Sequence, residues 1–172
     1  MQFLAKWAWL AVLLVGVGLV AEAKDSKTYR DEILLSGDVN PIAATRAAID
    51  AAEVSVDAAI YKFDAKPLRR ALERALERGV RVRIVVDAGA AHKGGAAAKV
   101  GRAGARMRKW TRGKLHTKFA VIDGRRVLTG SYNWTDNAGQ ENVELLMSFQ
   151  DPDDVRRFAE LFEKLWKSAG KK

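Results

Sequence analysis

A histidine and a lysine stand two positions apart, at His116 and Lys118, inside an otherwise apolar run from Leu115 to Ile122. The run predicts a strand, and side chains two positions apart on a strand leave the same face. A cation on a core-facing strand needs a counter-charge, because burying it alone costs several kcal/mol or more. The pair therefore predicts a site that binds an anion.

The segment that follows supplies further polar groups for such a site. Asp123-Gly124 is a strong hairpin signal, so the next apolar run should pair with the first and lead Gly130 to Trp134 to the same end of the sheet. Lys118 and Asn133 would hold non-bridging oxygens as charge builds on a phosphorus undergoing substitution. His116 can act as nucleophile if its second ring nitrogen donates to an oriented acceptor.

The periodic segments predict an α/β domain with a mixed, mostly parallel sheet flanked by helices on both faces. A strand over Val54 to Tyr61, a helix from Asp64-Ala65-Lys66-Pro67 to Gly79, and a strand over Val80 to Asp87 form a parallel unit with a right-handed crossover. Before this unit, the sequence predicts a strand over Glu32 to Ser36 and a helix from Asn40-Pro41. After it come a loop with a short helix over Ala88 to Gly104 and strands over Ala105 to Trp110 and Asn142 to Phe149. A terminal helix follows Asp151, and its apolar residues on one side are Val155, Phe158, Leu161, Phe162, Leu165 and Trp166.

The spacing His116-x-Lys118-x-x-x-x-Asp123-Gly124, followed by Gly130-Ser131-x-Asn133, resembles the signature of the phospholipase D superfamily. The upstream strand, helix and strand are also similar to those of the short bacterial members. The resemblance implies a metal-independent phosphodiesterase with a phosphohistidine intermediate and no cofactor. It assigns His116 the attack on phosphorus, while a second histidine protonates the leaving oxygen and water releases the product.

The resemblance also implies roles for three residues around this histidine. A glutamate in an Asn-x-Glu segment should hydrogen-bond it, and Glu144 in Asn142-Val143-Glu144 fits that spacing best, although Glu141 competes because the local run admits two registers. Ser131 is implied to assist at the histidine or the phosphate. Asp123 is expected to be a structural acceptor at the hairpin and not an acid or base.

The motif occurs once in the sequence, whereas the mechanism needs two histidines facing one phosphate. The other histidine, His92, lies in a glycine-containing loop and is expected to be exposed to solvent. A two-fold interface would instead bring His116 to its own copy. We therefore predict a homodimer with a shared site.

The formal charge of +9 suits a polyanionic partner. Basic residues cluster around Trp110 just before the motif, a combination that can grip phosphates and stack a base, although a solvated basic edge explains it nearly as well. The cluster comprises Arg102, Arg106, Arg108, Lys109, Arg112 and Lys114. With Lys118 and Asn133, we expect Trp110, Arg108 and Lys114 to bind substrate.

These features predict a non-specific endonuclease acting on DNA or RNA. A phospholipase D that hydrolyses phospholipid head groups is the alternative, because its active-site residues would be the same. A non-catalytic nucleic-acid-binding module is a further alternative. The intact set of His116, Lys118 and Asn133 argues against that last possibility.

The first 23 residues have the pattern of a signal peptide, with Lys6, an apolar run from Trp7 to Val20, and Ala21-Glu22-Ala23. The run is shorter than the roughly 20 residues a spanning helix needs, which favours cleavage near Lys24 over a membrane anchor. The phosphodiesterase domain would then cover residues 24–172. An exported protein, periplasmic or extracellular, is expected, and it has no cysteine for disulfides.

Overall fold

The computed structural model describes residues 31–35, 39–139 and 142–170. Within these residues the chain forms one seven-stranded sheet and four α-helices. The strands are β1 (Glu32–Leu35), β2 (Ser55–Ile60), β3 (Arg81–Asp87), β4 (Arg106–Trp110), β5 (Lys118–Ile122), β6 (Arg126–Gly130) and β7 (Leu145–Phe149). The helices are α1 (Pro41–Asp50), α2 (Lys66–Glu77), α3 (Ala96–Arg102) and α4 (Pro152–Ser168), with a 3-10 helix over Asp136–Gly139. The predicted signal peptide lies outside the described residues.

The strands lie in the order β1-β7-β6-β5-β2-β3-β4. The predicted α/β class and mixed sheet are confirmed, but the expectation of a mostly parallel sheet is wrong. Only β2 with β3 and β3 with β4 are parallel, and the other neighbouring pairs are antiparallel. The reason is the connections: helices α2 and α3 provide the crossovers that parallel neighbours require, whereas a tight hairpin joins β5 to β6.

Helices cover both faces of the sheet, as the sequence predicted. Helices α1, α2 and α3 pack on one face, where Ile49, Leu72 and Ile84 are fully buried. Helix α4 packs on the other face, where Phe162 meets Phe119 in a second cluster. No helix in the described part of the chain is long and apolar enough to cross a membrane.

One residue of the predicted apolar stripe on α4 does not face the core. Val155, Phe162 and Trp166 are buried, and Phe158 and Leu165 are half-buried against the same cluster, whereas Leu161 is 40% exposed. The buried residues recur at the three- and four-residue steps of one helix face. Leu161 lies about 100° round the helix from Phe162, at the edge of that face, whereas Leu165 lies only about 60° from Phe162.

Local side chains fix where the helices begin. The Asn40 side chain accepts hydrogen bonds from the backbone nitrogens of Ile42 and Ala43, at 2.9 and 3.1 Å, and so caps α1. Asp151 caps α4 in the same way through Asp153 and Asp154. These caps stand where the sequence placed the helix starts.

A buried ion pair, which sequence analysis did not single out, ties α4 to the sheet. Arg83 on β3 donates to both carboxylate oxygens of Asp57 on β2, at 2.7 Å each, and to Glu163 on α4 at 2.7 Å. Its guanidinium carbon also lies 4.9 Å from the ring centroid of Phe162. The Asp57 bond, more than the opposing burial, raises the pKa of Arg83. The group therefore stays charged and holds α4 in place.

Candidate active site

Most of the predicted polar residues meet at one end of the sheet, which we call the His116 end. It is formed by the carboxyl ends of β2, β3, β4 and β6 and by the amino ends of β5 and β7, as the registers of these strands require. His116 lies just before β5, Ser131 and Asn133 follow β6, and Glu144 precedes β7. Residues separated in the sequence thus become neighbours.

His116 and Lys118 meet, although not as two residues of one strand. Strand β5 begins at Lys118, so the predicted strand from Leu115 is too long and His116 lies in the segment that leads into it. Lys118 Nζ donates to the carbonyl oxygen of His116 at 2.8 Å. It also lies 3.3 Å from His116 Nδ1 and 3.5 Å from Nε2. The ammonium group and the imidazole therefore face the same small volume.

The Lys118 side chain carries its charge in a poorly hydrated place. The residue is 8% exposed. Burial lowers the pKa of Lys118, and the nearby negative charge of Glu144 opposes that shift. Within the described residues no carboxylate forms an ion pair with it. An anion bound here would meet a cation that is weakly screened by water.

Asp87, at the carboxyl end of β3, fixes the backbone ahead of His116. Its carboxylate accepts a hydrogen bond from the backbone nitrogen of Leu115 at 2.8 Å and another from that of Gly89 at 2.9 Å. Leu115 itself is buried against the α4 side of the sheet. In the sequence, Asp87 was predicted only as the end of a strand. The available signal was an acidic residue closing an apolar parallel strand.

Tyr61 is the site residue that sequence analysis missed. It follows β2, and its ring centroid lies 4.9 Å from that of His116, with the planes tilted by 50°. The ammonium groups of Lys114 and Lys118 lie 5.4 and 5.7 Å from the Tyr61 centroid, within range of cation–π attraction. The ring therefore gathers three nitrogen-bearing side chains. Lys114, predicted to bind substrate, is among them.

Ser131 and Glu144 form a hydrogen-bonded pair beside β7. The Ser131 hydroxyl donates to a Glu144 carboxylate oxygen and accepts from the backbone nitrogen of Leu145 at 3.0 Å. Asn142 Nδ2 donates to the other Glu144 oxygen at 3.1 Å. The hydrogen bonds described for the Glu144 carboxylate come from Ser131 and Asn142, and the expected contact with the His116 ring stays a prediction. Glu141, the competing glutamate, lies outside the described residues.

Asn133 lies in a segment held by its neighbours on both sides. The Tyr132 hydroxyl bonds to Thr45 Oγ1 on α1, and the Trp134 carbonyl accepts from the backbone nitrogens of Asp64 and Ala65 at 2.8 Å each. Asn133 Oδ1 is buried and has no hydrogen-bond partner among the described residues. Buried polar atoms are rarely left unpaired, and a phosphate oxygen accepts hydrogen bonds, so this carboxamide would hold a phosphate through Nδ2 with the amide turned over.

Gly130 lets β6 and β7 approach closely next to this pair. A Cβ atom built on Gly130 would lie 1.9 Å from the Leu145 carbonyl oxygen. No real side chain fits at that distance. The absence of a side chain at this position therefore brings Ser131 within hydrogen-bonding distance of Glu144 and Leu145.

Two residues of the predicted substrate-binding set do not point to the site. The Arg108 guanidinium donates to the Trp166 carbonyl oxygen and lies 4.4 Å from the Trp166 ring centroid, on the α4 face. Trp110 packs against the α4-side core, and its Nε1 donates to the Arg112 carbonyl oxygen at 2.7 Å. Both side chains pack on the α4 side of the sheet, because α4 covers the face of β4 from which they project.

Asp123 lies at the opposite end of β5 from Lys118. Its carboxylate accepts hydrogen bonds from the backbone nitrogens of Glu53, Val54 and Ser55, at 3.0, 2.8 and 2.8 Å. Burial alone would raise its pKa, but these bonds and the charge of Arg125 outweigh it and lower the pKa. The structural role expected of Asp123 agrees with this placement, and its inclusion in the catalytic set does not.

An Asp123→Asn variant is expected to lose stability without disturbing the His116 end. Asparagine tolerates the positive φ of 52° but cannot offer a charged acceptor, which should cost about 1 to 2 kcal/mol, or several degrees in Tm. Because the folded-state pKa is lowered, this stabilisation is present above the ordinary aspartate value of about 3.9 and is lost as the pH falls through the lower folded value. The Tm difference from the parent, measured by thermal unfolding, should therefore shrink towards pH 3.

Asp154→Asn is the matched control, since the described partner of this exposed carboxylate is Arg157 at 3.8 Å, a surface ion pair that contributes little. Equal Tm losses in the two variants, or no pH dependence for Asp123→Asn, would contradict the assignment.

No group of three or more histidine, aspartate or glutamate side chains suited to a metal ion occurs within residues 31–35, 39–139 and 142–170.

Known proteins share sequence similarity with most of this chain. The family model described as "Cardiolipin synthase, PLD-like domain" matches residues 45–166. The human protein named mitochondrial cardiolipin hydrolase is 39% identical over 121 residues, which are 69% of this chain and 48% of that protein. A protein of the same name from Chlamydomonas reinhardtii is 43% identical over 91 residues, 52% of this chain and 41% of that protein. The chain thus spans about half the length of these curated relatives.

Solved structures share the fold. Nuc from Salmonella typhimurium, described as a phospholipase D family member, superposes with a TM-score of 0.75 at 26% identity, covering 82% of this chain and 96% of that one. NucT from Helicobacter pylori gives a TM-score of 0.74 at 23% identity, covering 82% and 98% of the two chains, and at that identity it bears on the fold alone. With the family model covering residues 45–166, the chain belongs to the phospholipase D superfamily.

Proposed function

We propose that the chain is a metal-independent phosphodiesterase in which His116 attacks phosphorus. The observation that carries the proposal is the meeting of the His116 imidazole with the desolvated Lys118 ammonium, 3.3 Å from Nδ1, at an end of the sheet lined by Asn133 and Ser131. An ammonium group held there stabilises the charge that builds on the phosphoryl oxygens, before and during substitution. The imidazole beside it is the nucleophile.

The proposed reaction proceeds in two steps. A ring nitrogen of the neutral His116 forms a bond to phosphorus while the bond from phosphorus to the leaving oxygen breaks, and that oxygen takes a proton from a second histidine, which starts as the imidazolium cation and becomes neutral. Water then loses a proton to this second imidazole as its oxygen bonds to phosphorus and the nitrogen–phosphorus bond breaks. Atoms and charges balance without a metal, and both histidines return to their starting states.

The second imidazole is proposed to be the His116 of another copy of the chain. We do not assign this role to His92, which lies exposed in the loop between β3 and α3 and makes no hydrogen bond or ring contact with His116 among the described residues. A two-fold axis beside the His116 end would place each His116 opposite its copy. We retain the homodimer, and export of the protein from the cytoplasm, as parts of the proposal.

Nucleic acid is the substrate that we propose. The net charge of +9 and the positions of Lys114 and Lys118 at the His116 end favour a polyanion. Phospholipid is the second candidate, supported by the similarity to relatives named mitochondrial cardiolipin hydrolase. Both are phosphodiesters, so the same residues would perform either reaction.

The test uses the purified chain with plasmid DNA, single-stranded DNA, and vesicles of phosphatidylcholine with or without cardiolipin, all in excess EDTA. Cleavage of DNA that persists in EDTA and is absent from a His116→Ala variant is expected. Release of head groups without DNA cleavage would make phospholipid the substrate. Activity that depended on added magnesium or zinc would overturn the mechanism, and an active, strictly monomeric enzyme would overturn the shared site.

A Tyr61→Leu variant is expected to lower kcat for a small diester, bis(p-nitrophenyl) phosphate, by about tenfold. Leucine removes the ring that contacts His116 and attracts two ammonium groups, interactions worth roughly 0.5 to 2 kcal/mol together. Tyr61→Phe keeps the ring and should retain most of the parent rate. A Tyr61→Leu enzyme with the parent kcat, or an equal loss in Tyr61→Phe, would show that the ring does not position these groups.

A further inference from the structure

A crevice between α1 and α2 is lined almost entirely by cations. It has a volume of about 280 Å³, and its lining residues are Arg46, Lys66, Pro67, Arg70 and Arg74. Lys66, Arg70 and Arg74 follow one another at four-residue steps, so they form a row along α2 with a spacing of roughly 6 Å. Arg46 faces this row from α1. No acidic side chain lines the crevice.

Three of these cations have no acidic partner among the residues that the structure describes. Arg74 donates to Asp50 at 2.7 Å, and the neighbouring Arg69, outside the crevice, pairs with Glu73. In the described part of the chain, Arg46, Lys66 and Arg70 form no ion pair. Like charges gathered in one concave surface repel each other, and a bound anion would relieve that repulsion.

The crevice begins at the His116 end of the sheet. Lys66 starts α2, five residues after Tyr61, and its backbone nitrogen donates to Asp136 Oδ1 at 3.3 Å in the segment that follows Asn133. From there α2 runs back along the sheet towards Arg74. A polymer with one phosphate at His116 could therefore continue along the row of cations.

We propose that this crevice binds the phosphodiester backbone of a nucleic-acid strand whose scissile phosphate lies at His116. The inference rests on the proposed function and adds a second contact region for the same substrate. A row of cations in a groove is how proteins follow a single strand without reading its sequence. A membrane surface fits less well, because helices that bind lipid combine cations with exposed apolar side chains. In the part of the chain that the structure describes, the large exposed apolar residues are Ile33, Leu35, Val54, Val143 and Leu161, and none of these lies on α1 or α2.

The experiment measures binding of single-stranded DNA in a His116→Ala background, so that nothing is cleaved. Fluorescence anisotropy is recorded for oligonucleotides of about 30 and about 4 nucleotides over a range of salt concentrations. The Arg46→Ala/Arg70→Ala double variant should bind the long oligonucleotide about tenfold more weakly. For this variant, the slope of the logarithm of the binding constant against the logarithm of the salt concentration should decrease in magnitude by roughly 1.4, since each single-strand phosphate contact contributes about 0.7. The short oligonucleotide, which fills only the His116 end, should bind as before.

A Lys164→Ala/Lys167→Ala variant on α4 is the matched control, with the same loss of exposed helical charge, and Tm is measured for all proteins. Unchanged affinity of the Arg46→Ala/Arg70→Ala variant for the long oligonucleotide, or an equal loss in the control, would overturn the proposal. The proposal would also be overturned if the Arg46→Ala/Arg70→Ala variant lost binding to vesicles of phosphatidylcholine and cardiolipin but still bound the oligonucleotide. That result would identify the crevice as a membrane-binding surface. Hydrolysis of bis(p-nitrophenyl) phosphate by the parent tests the proposed function separately, and the crevice variant in an active background should retain it.

Discussion

Replacing His116 by alanine is expected to lower the rate of phosphodiester hydrolysis by about 10³-fold or more. The variant cannot form the nitrogen–phosphorus bond, and loss of a covalent nucleophile removes a whole reaction path and not one contact within it. The side chain lies at the surface of the site, so the fold should survive. Single-turnover kinetics with bis(p-nitrophenyl) phosphate measures the loss, and mass spectrometry of the rapidly quenched parent should find phosphate on the peptide that contains His116.

His92→Ala is the control for this prediction, because it removes the other histidine of the sequence, an exposed side chain with no described contact to His116. It should retain the parent rate. A His116→Ala enzyme with substantial activity, or a phosphorylated peptide that lacks His116, would exclude the covalent mechanism. Equal losses in the two variants would assign the second imidazole to His92 and remove the need for a shared site.

Replacing Lys118 by alanine is expected to lower kcat by about 10² to 10³-fold, the usual effect of removing one electrostatic group that stabilises the transition state. This stabilisation requires the positive charge of the Lys118 ammonium group, and burial lowers the pKa of that group. The contribution of Lys118 to the rate should therefore be present at neutral pH and be lost as the pH rises through a value below the ordinary lysine pKa of about 10.4, where the ammonium loses its proton. The pH profile of kcat measures this fall.

Lys118→Arg separates charge from geometry. A guanidinium group remains protonated throughout this range, so the alkaline fall due to Lys118 should disappear, while the different shape of the group lowers the maximal rate. An alkaline fall that persisted unchanged in Lys118→Arg would assign it to another group. A Lys118→Ala enzyme with the parent kcat would exclude the lysine from the reaction.

Local signals allowed most elements to be predicted from the sequence. The cap at Asn40, the apolar spacing of α2 and the turn at Asp123-Gly124 each depend on residues a few positions apart, and each stands where it was expected. Sheet order was harder to predict, because it depends on which strands meet across long connections. The expectation of a mostly parallel sheet was based on one parallel unit, β2 to β3. The later strands of the chain instead pair with antiparallel neighbours.

The site was predictable to the extent that it follows the sequence motif. His116, Lys118, Ser131 and Asn133 come together because β5 and β6 form a hairpin, which the spacing indicated. Tyr61 and Asp87 belong to strands far earlier in the chain, and no local pattern relates them to His116. Arg108 was misplaced for a similar reason: its direction is set by α4, which packs on β4 only in the folded chain.

The close approach of β6 to β7 at Gly130 has a consequence for how this protein tolerates change. The Leu145 carbonyl oxygen occupies the space where any side chain would begin. Even the smallest replacement would have to push the two backbones apart, and the hydroxyl of Ser131 and the carboxylate of Glu144 would separate with them. A Gly130→Ala mutation would thus lower the stability of the fold and disturb the active site together. A second mutation that restored one would have to restore the other as well.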